Sequence, residues 1–420
     1  MPNHAFGHPQ PTSRTTGASG ADVATRGFST RAIRSGQDPC AATGATIVPV
    51  YQTATFTQSA VGVTKGFDYT RSGNPTRLAL ERQLADLEGA SFATAYGSGM
   101  AAIHGICSVL RPGDHVVATK DLYGGTHRIF SELLPRYGIE TSYVDLCDLD
   151  VARAAIRPQT KLIWVETPTN PLLRIIDIAA IAALKGPGQI VAVDNTFATP
   201  FWQRPLEFGA DIVMHSTTKY LGGHSDVVGG IALTNDAALA AEIAWHQNAI
   251  GAIPGPWDAY LTMRGTKTLA IRMREHERNA GAVARFLEAR SDVTQVYYPG
   301  LASHEHHELA VRQMRGFGGI VSFRPAGGHE RALALAKATE VFNLATSLGG
   351  VESLICSPPV MTHASVPTEQ KDALGITPEL LRLSVGIEDE ADLLADLSRA
   401  LDLSAAAVGL AGAPRIYAVA

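Results

Sequence analysis

Apolar positions along this chain follow two rhythms. Leu78, Leu80, Leu84 and Leu87 lie on a helical pattern that stops at Gly89. Residues 91–96 then form a short apolar run, closed by Gly97-Ser98-Gly99, with a second helix predicted from Met100. A turn at Arg111-Pro112-Gly113-Asp114 leads into a strand over 115–119, and further strands are predicted over 161–166 and 189–194. The runs Leu162-Ile163-Trp164-Val165 and Ile190-Val191-Ala192-Val193 are continuous rather than alternating. Continuous runs suit strands buried on both faces of a parallel sheet, with helical crossovers between them. The fold class is therefore α/β with a mostly parallel sheet.

Residues 260–290 read as one long helix, with Arg272, Arg274, Glu275, Glu277 and Arg278 as its solvated charges. A domain change is placed near it. Beyond it, a strand over 319–323, a helix over 330–339 and a strand over 380–385 predict a smaller α+β unit. The expected organisation is a disordered tail (1–25), an extended Thr/Gly/Pro-rich arm (26–75), an α/β domain (76–275), an α+β domain (276–403) and a peripheral tail (404–420).

Composition narrows the function classes. The chain has 420 residues, 45% hydrophobic and 18% charged, with a formal net charge of −5 and no basic run. That balance is globular and argues against a nucleic acid or an anionic membrane as partner. No apolar stretch approaches the ~18 residues of a membrane span. The first residues lack the apolar core of a secretory signal. Cys40, Cys107, Cys147 and Cys356 are far apart and form no CxxC pair, which argues against a disulfide framework or a zinc site and suits a reducing cytoplasm. The His304-Glu305-His306-His307 cluster follows Pro299-Gly300 and reads as a solvated helix start, not a metal site.

Four segments carry candidate chemistry. Asp194 ends a buried strand, where α/β sheets place their ligands. In Ser216-Thr217-Thr218-Lys219, three hydroxyls lead into a lysine, a pattern suited to a phosphate and an amine-bonded ligand. Gly97-Ser98-Gly99-Met100 lies between strand and helix, where backbone N–H groups meet anions. Tyr123, before Gly124-Gly125, could stack on a flat ring. The glycine turn also fits a dinucleotide site, so an NAD-dependent oxidoreductase is the alternative from another class; such an enzyme would have no use for the lysine segment. Together the four are the parts that pyridoxal 5′-phosphate (PLP) needs: a phosphate cradle, a stacking ring, a carboxylate for the pyridine nitrogen and a lysine for the aldehyde.

The chain resembles the Cys/Met-metabolism group of PLP enzymes over about residues 25–402. The matching segments include Tyr69-Thr70-Arg71-Ser72-Gly73-Asn74-Pro75, Glu166-Thr167-Pro168-Thr169-Asn170-Pro171, Ser347-Leu348-Gly349-Gly350 and Leu381-Arg382-Leu383-Ser384. The resemblance implies a fold-type I, aspartate-aminotransferase-like architecture with a seven-stranded sheet. It implies that Lys219 bonds to the cofactor aldehyde and shuttles protons, and that Asp194 pairs with the pyridine nitrogen. Tyr123 is implied to stack on the ring and to assist the leaving group as an acid. Gly99, Met100, Ser216 and Thr218 are implied to hold the phosphate. Tyr69 and Arg71 are implied to reach the phosphate of a neighbouring subunit, in a tetramer built as a dimer of dimers. Arg382, Asn170 and Ser347 are implied to receive the substrate α-carboxylate.

The implied activity is a carbon–sulfur lyase or an alkyl transferase of trans-sulfuration, acting by γ-elimination or γ-replacement. The wording around Ser347 and at Gly125 is closest to cystathionine γ-lyase and γ-synthase. Thr346 departs from that pattern, since a glutamate that helps hold the distal amino group of cystathionine often stands there. The departure opens methionine γ-lyase, an O-acylhomoserine sulfhydrylase or a specialised γ-replacement. The purified protein is expected to show a visible absorption band that borohydride abolishes, with the label on Lys219. A colourless protein that takes up no PLP would overturn this reading.

Overall fold

The buried runs become neighbours in one sheet. A computed structural model describes residues 26–364 and 367–409, so the tail expected at 1–25 and most of that at 404–420 lie outside it. Seven strands, β1 (Phe92–Tyr96), β2 (His115–Thr119), β3 (Glu140–Val144), β4 (Thr160–Glu166), β5 (Ile190–Asp194), β6 (Ile212–His215) and β7 (Gly230–Thr234), lie in the order β1-β7-β6-β5-β4-β2-β3. Only β7 runs against its neighbours β1 and β6. The periodicity of 2 sends alternate residues to opposite faces. Leu162, Trp164, Ala192 and Met214 pack with Ile103 and Phe130 on one side, while Ile163, Val165, Val191 and Val193 pack with Ile178 and Ile181 on the other. Both faces are thus covered, as the unbroken apolar runs require.

From β2 the chain moves outward to β3, then returns to β4 on the other side of β2 and continues to β5 and β6. The direction reverses between β2 and β4. That reversal opens a crevice beyond the carboxyl ends of these strands.

A second sheet holds β8 (Val293–Tyr297), β9 (Ile320–Pro325), β10 (Asn343–Leu344), β11 (Leu354–Cys356) and β12 (Leu381–Ser384), in the order β10-β11-β12-β9-β8. It is antiparallel except between β10 and β11. The helices Gly328–Ala338 and Glu390–Ala407 cover it. The last helix buries Ser404 and Ala405, so residues 404–407 belong to it rather than to a peripheral tail. No helix among the described residues is long and apolar enough to cross a membrane.

The helix expected over 260–290 is two, Pro256–Thr266 and Leu269–Glu288. Arg272 explains the break, and it is not one of the solvated charges. It is 3% exposed and donates to the carbonyls of Tyr220 and Gly265 and to Thr268 Oγ1. A backbone carbonyl at the end of one helix is thus held by a guanidinium from the next, and both are tied to the turn that carries Lys219. The helix Leu269–Glu288 contributes Met273 to the core under the large sheet and Val283 and Leu287 to the core of the small one. The expected boundary at 275 falls inside it. The His304–His307 segment does start a helix, His307–Gln313, but His304 is buried and not solvated. His306 Nδ1 accepts the Ile175 N–H at 3.2 Å.

Gly265 lies directly under the Lys219 turn, where a Cβ would come within 2.0 Å of the Gly222 carbonyl oxygen. Gly265→Ala is therefore expected to destabilise the protein by about 1–3 kcal/mol, the range for overpacking. Thermal melts and cofactor retention measure it. An unchanged melting temperature would show that the turn yields freely.

Candidate active site

The sheet delivers its chemistry to one crevice. A cavity of about 450 Å³ is lined by Gly99, Met100, Tyr123, Asn170, Asp194, Ser216, Thr218, Lys219, Thr346, Ser347 and Arg382. Eleven of the thirteen residues singled out from sequence thus meet in one place. Tyr69 and Arg71 do not line it. They sit on the exposed arm, where Arg71 lies over the Tyr69 ring at 5.6 Å and donates to the Asn248 carbonyl at 2.7 Å.

One end of the cavity carries the donors that a phosphate would need. Ser98 caps the helix Gly99–Cys107, its Oγ accepting the Ala101 N–H. The first-turn N–H groups of Gly99 and Met100 have no intrahelical acceptor. Ser216 stands against Gly99 so closely that a Cβ there would meet the Ser216 Cβ at 2.8 Å. Gly99 is thus a requirement of close approach. Thr218 Oγ1 is already engaged: it donates to the Gly229 carbonyl and accepts the Gly229 N–H.

The floor is acidic. Asp194 is 8% exposed and accepts the Thr196 N–H at 3.0 Å. Burial raises its pKa above the ordinary carboxylate range, while the Thr196 hydrogen bonds and the charge of His215 pull it back down. His215 is itself buried, with Nε2 at 2.8 Å from Glu88 Oε2. Beside Asp194 stands Glu166, which accepts the Tyr123 N–H at 2.9 Å. Burial, and then the nearby Asp194, hold Glu166 well above the usual range.

The opposite wall comes from the small sheet and the loop before it. Arg382, on β12, is 2% exposed and donates to Asn170 Oδ1 at 2.7 Å and to the Ser347 carbonyl at 3.0 Å. Ser347 has φ 100°, a left-handed conformation that costs a residue with a side chain of order 1–3 kcal/mol. In that conformation its carbonyl meets Arg382 while its hydroxyl accepts from Lys219 Nζ at 2.6 Å. Burial, and then the charge of Arg382, lower the Lys219 pKa to about 8.

Two charged lining residues, Glu166 and Arg128, were given no role from the sequence. Glu166 ends β4 just as Asp194 ends β5, so the same strand-end signal applied to both. Arg128 closes the helix Gly124–Arg128, lines the cavity and is exposed; it makes no hydrogen bond or ion pair among the described residues. Nothing local in the sequence marks it.

A helix N-terminus with free N–H groups, a buried carboxylate, a lysine near neutrality and a half-exposed tyrosine fit a phosphorylated pyridine aldehyde. The fold and cavity define a PLP-dependent α/β enzyme of amino-acid chemistry. More particularly, the chain belongs to the Cys/Met metabolism PLP-dependent enzymes, the family whose sequence profile matches residues 29–402. It is 57% identical over 378 residues to a cystathionine γ-synthase of Mycobacterium tuberculosis, covering 89% of this chain and 97% of that one. It is 50% identical over 375 residues to a cystathionine β-lyase of Lactococcus lactis, covering 89% and 98%. The solved structure of metB from Corynebacterium glutamicum superposes with a TM-score of 0.89 at 49% identity, covering 91% and 99%. Trans-sulfuration chemistry with PLP is thus the class of this enzyme.

The lowered Lys219 pKa has a measurable consequence. Only the neutral amine attacks an aldehyde, and its fraction rises with pH through the pKa. The rate at which the cofactor-free protein takes up PLP is expected to climb through about pH 8 and level off above it. Arg382→Leu should move that midpoint upward, because the Arg382 charge is one cause of the lowering. Stopped-flow absorbance measures both; a rate still climbing near pH 10 would contradict the assignment.

Proposed function

We propose that this enzyme is a γ-replacing synthase of the cystathionine γ-synthase type. It joins the thiol of cysteine to the γ-carbon of an O-acylated homoserine whose acyl group ends in a carboxylate. The new C–S bond replaces the C–O bond, and the acyl group leaves as a free carboxylic acid. The observation that carries this reading is the pair of guanidinium groups facing one cavity. Arg382 is buried and oriented by two acceptors, whereas Arg128 is exposed and without a partner among the described residues. Where a glutamate could hold a distal ammonium, there is Thr346. Such a cavity favours a substrate with a second carboxylate over the zwitterionic far end of cystathionine. The 57% identity to a γ-synthase agrees.

When bound, PLP supplies an electron sink that acidifies the substrate Cα and Cβ hydrogens. The residues of the chain do the rest. Gly99, Met100 and Ser216, with Thr218 once its hydroxyl turns from Gly229, hold the phosphate. Asp194 would hold the pyridine nitrogen protonated, and Tyr123 would cover the ring. The Arg382 fork, fixed by Asn170 and the Ser347 carbonyl, takes the α-carboxylate in bidentate fashion. Lys219, steered by the Ser347 hydroxyl, removes and returns protons at the carbons within its reach. A pKa near 8 lets one amine act as base and acid close to neutrality. The Tyr123 hydroxyl protonates the departing acyl oxygen, and Arg128 meets the acyl carboxylate.

Tyr69 and Arg71, outside their own cavity, are assigned to the phosphate of a neighbouring subunit in a homotetramer. A cytoplasmic enzyme is consistent with four free cysteines.

Purified holoenzyme given O-succinylhomoserine and cysteine is expected to yield cystathionine faster than cystathionine yields 2-oxobutyrate. Arg128→Ala should raise KM for O-succinylhomoserine roughly tenfold, equivalent to about 1.4 kcal/mol, and leave KM for O-acetylhomoserine nearly unchanged. Cleavage of cystathionine as the dominant activity would make the enzyme a lyase. An equal effect on both esters would remove Arg128 from the acyl site.

A further inference from the structure

Glu166 and Asp194 are paired in register on the neighbouring parallel strands β4 and β5, each at the last position. Paired residues put their side chains on the same face, and adjacent strands lie about 4.8 Å apart. Both carboxyls line the same cavity, and they are 4% and 8% exposed. We infer that the two work as a pair bearing a single negative charge, with the charge on Asp194 and the proton on Glu166, and that protonated Glu166 is the positioning residue for Tyr123.

The charges around the pair favour one ionisation rather than two. Asp121, from the segment after β2, is a third buried carboxylate near Glu166, and one of its oxygens has no hydrogen-bond partner among the described residues. The cation that faces Glu166 is Arg382, which is already shared between Asn170 and the Ser347 carbonyl. Arg174, facing Asp121, is bound to Asp145 and Glu305. Two like charges at this spacing in a buried site cannot both be held without a cation between them.

Local geometry decides which carboxyl keeps the charge. Asp194 receives the Thr196 N–H and lies within the field of His215, which is fixed on Glu88. Glu166 receives the Tyr123 N–H, and the charges of Asp194 and Asp121 both disfavour its ionisation, with Arg382 opposing them. A protonated carboxyl still accepts an N–H through its carbonyl oxygen. Glu166 can therefore hold the Tyr123 backbone while uncharged. That bond ties the loop after β2 to the end of β4, across the point where the sheet reverses direction. Tyr123 then caps the helix Gly124–Arg128, and Gly125 leaves its ring the space that a Cβ would fill, 2.4 Å from the ring.

The inference rests on the assignment of Asp194 to the cofactor ring, and the test separates the two. Glu166→Gln, Glu166→Ala and Asp194→Asn are compared in the full-length protein by PLP dissociation constant, by visible absorption and by infrared spectroscopy of the cofactor-free form. Gln keeps the shape and the neutral acceptor, so its PLP dissociation constant should stay within about twofold of wild type with an unmoved band. Asp194→Asn removes the one charge, so its affinity should fall about tenfold or more, one pKa unit's worth of interaction. Glu166→Ala should lose affinity severalfold through Tyr123. The infrared spectrum of wild type at neutral pH should contain a protonated-carboxyl carbonyl band that Glu166→Gln abolishes, whether or not cofactor binds. A Glu166→Gln variant as weak as Asp194→Asn would put the charge on Glu166 and overturn the inference. So would an absent infrared band, or a Glu166→Ala variant that binds normally. Normal binding by both Gln and Asn variants would remove Asp194 from the ring, and the pair with it.

Discussion

Burying a carboxylate at the end of an apolar strand is costly unless something answers its charge. The position of Asp194 follows from that constraint. Its strand is fully enclosed, so the carboxyl can reach only the crevice, and there it meets the N–H and hydroxyl of Thr196 and the field of His215. In the proposed function, the cationic ring nitrogen of a bound cofactor would supply that answer. Burial has the opposite effect on Lys219, making its amine easier to deprotonate. The same dry environment thus produces an acid site and a base site in one cavity.

The second organising element is the Ser347 backbone. A serine held at φ 100° is uncommon, and this one has contacts on both sides. Its carbonyl accepts from Arg382 and its hydroxyl from Lys219. In the proposed mechanism, substrate recognition and proton transfer therefore share one residue. The neighbouring Thr346, exposed at the same edge, is free of that constraint and can vary with the substrate.

Much of this was legible in the sequence where a signal was local. The runs at 91–96, 115–119, 161–166 and 189–194 appear as strands within one residue at each end, because burial on both faces demands unbroken apolar residues. Lys219 and Asp194 stood out because their neighbours were unusual. β3 was harder to see, since its strand is partly exposed and reads Glu-Thr-Ser-Tyr-Val. Arg272 looked like a surface charge, because nothing in a helical charge pattern tells which arginine faces three oxygen acceptors from the turn and helix end around it. Arg128 was invisible for the converse reason: its meaning lies in the absence of a partner among the described residues. Glu166 carried the same strand-end signal as Asp194, and only the register of β4 against β5 turns two such signals into a pair.

The helix Leu269–Glu288 has a mechanical consequence. It is rooted in the core of the large sheet at one end and in that of the small sheet at the other, and no interruption lies between. A rigid beam through both units resists hinge bending. Arg382 and Lys219, carried by different units, are thereby kept at a fixed span, like jaws on a common frame. Any opening of the cavity then falls to the segments that line it, such as those bearing Arg128, Val228 and Met361, rather than to one unit swinging against the other.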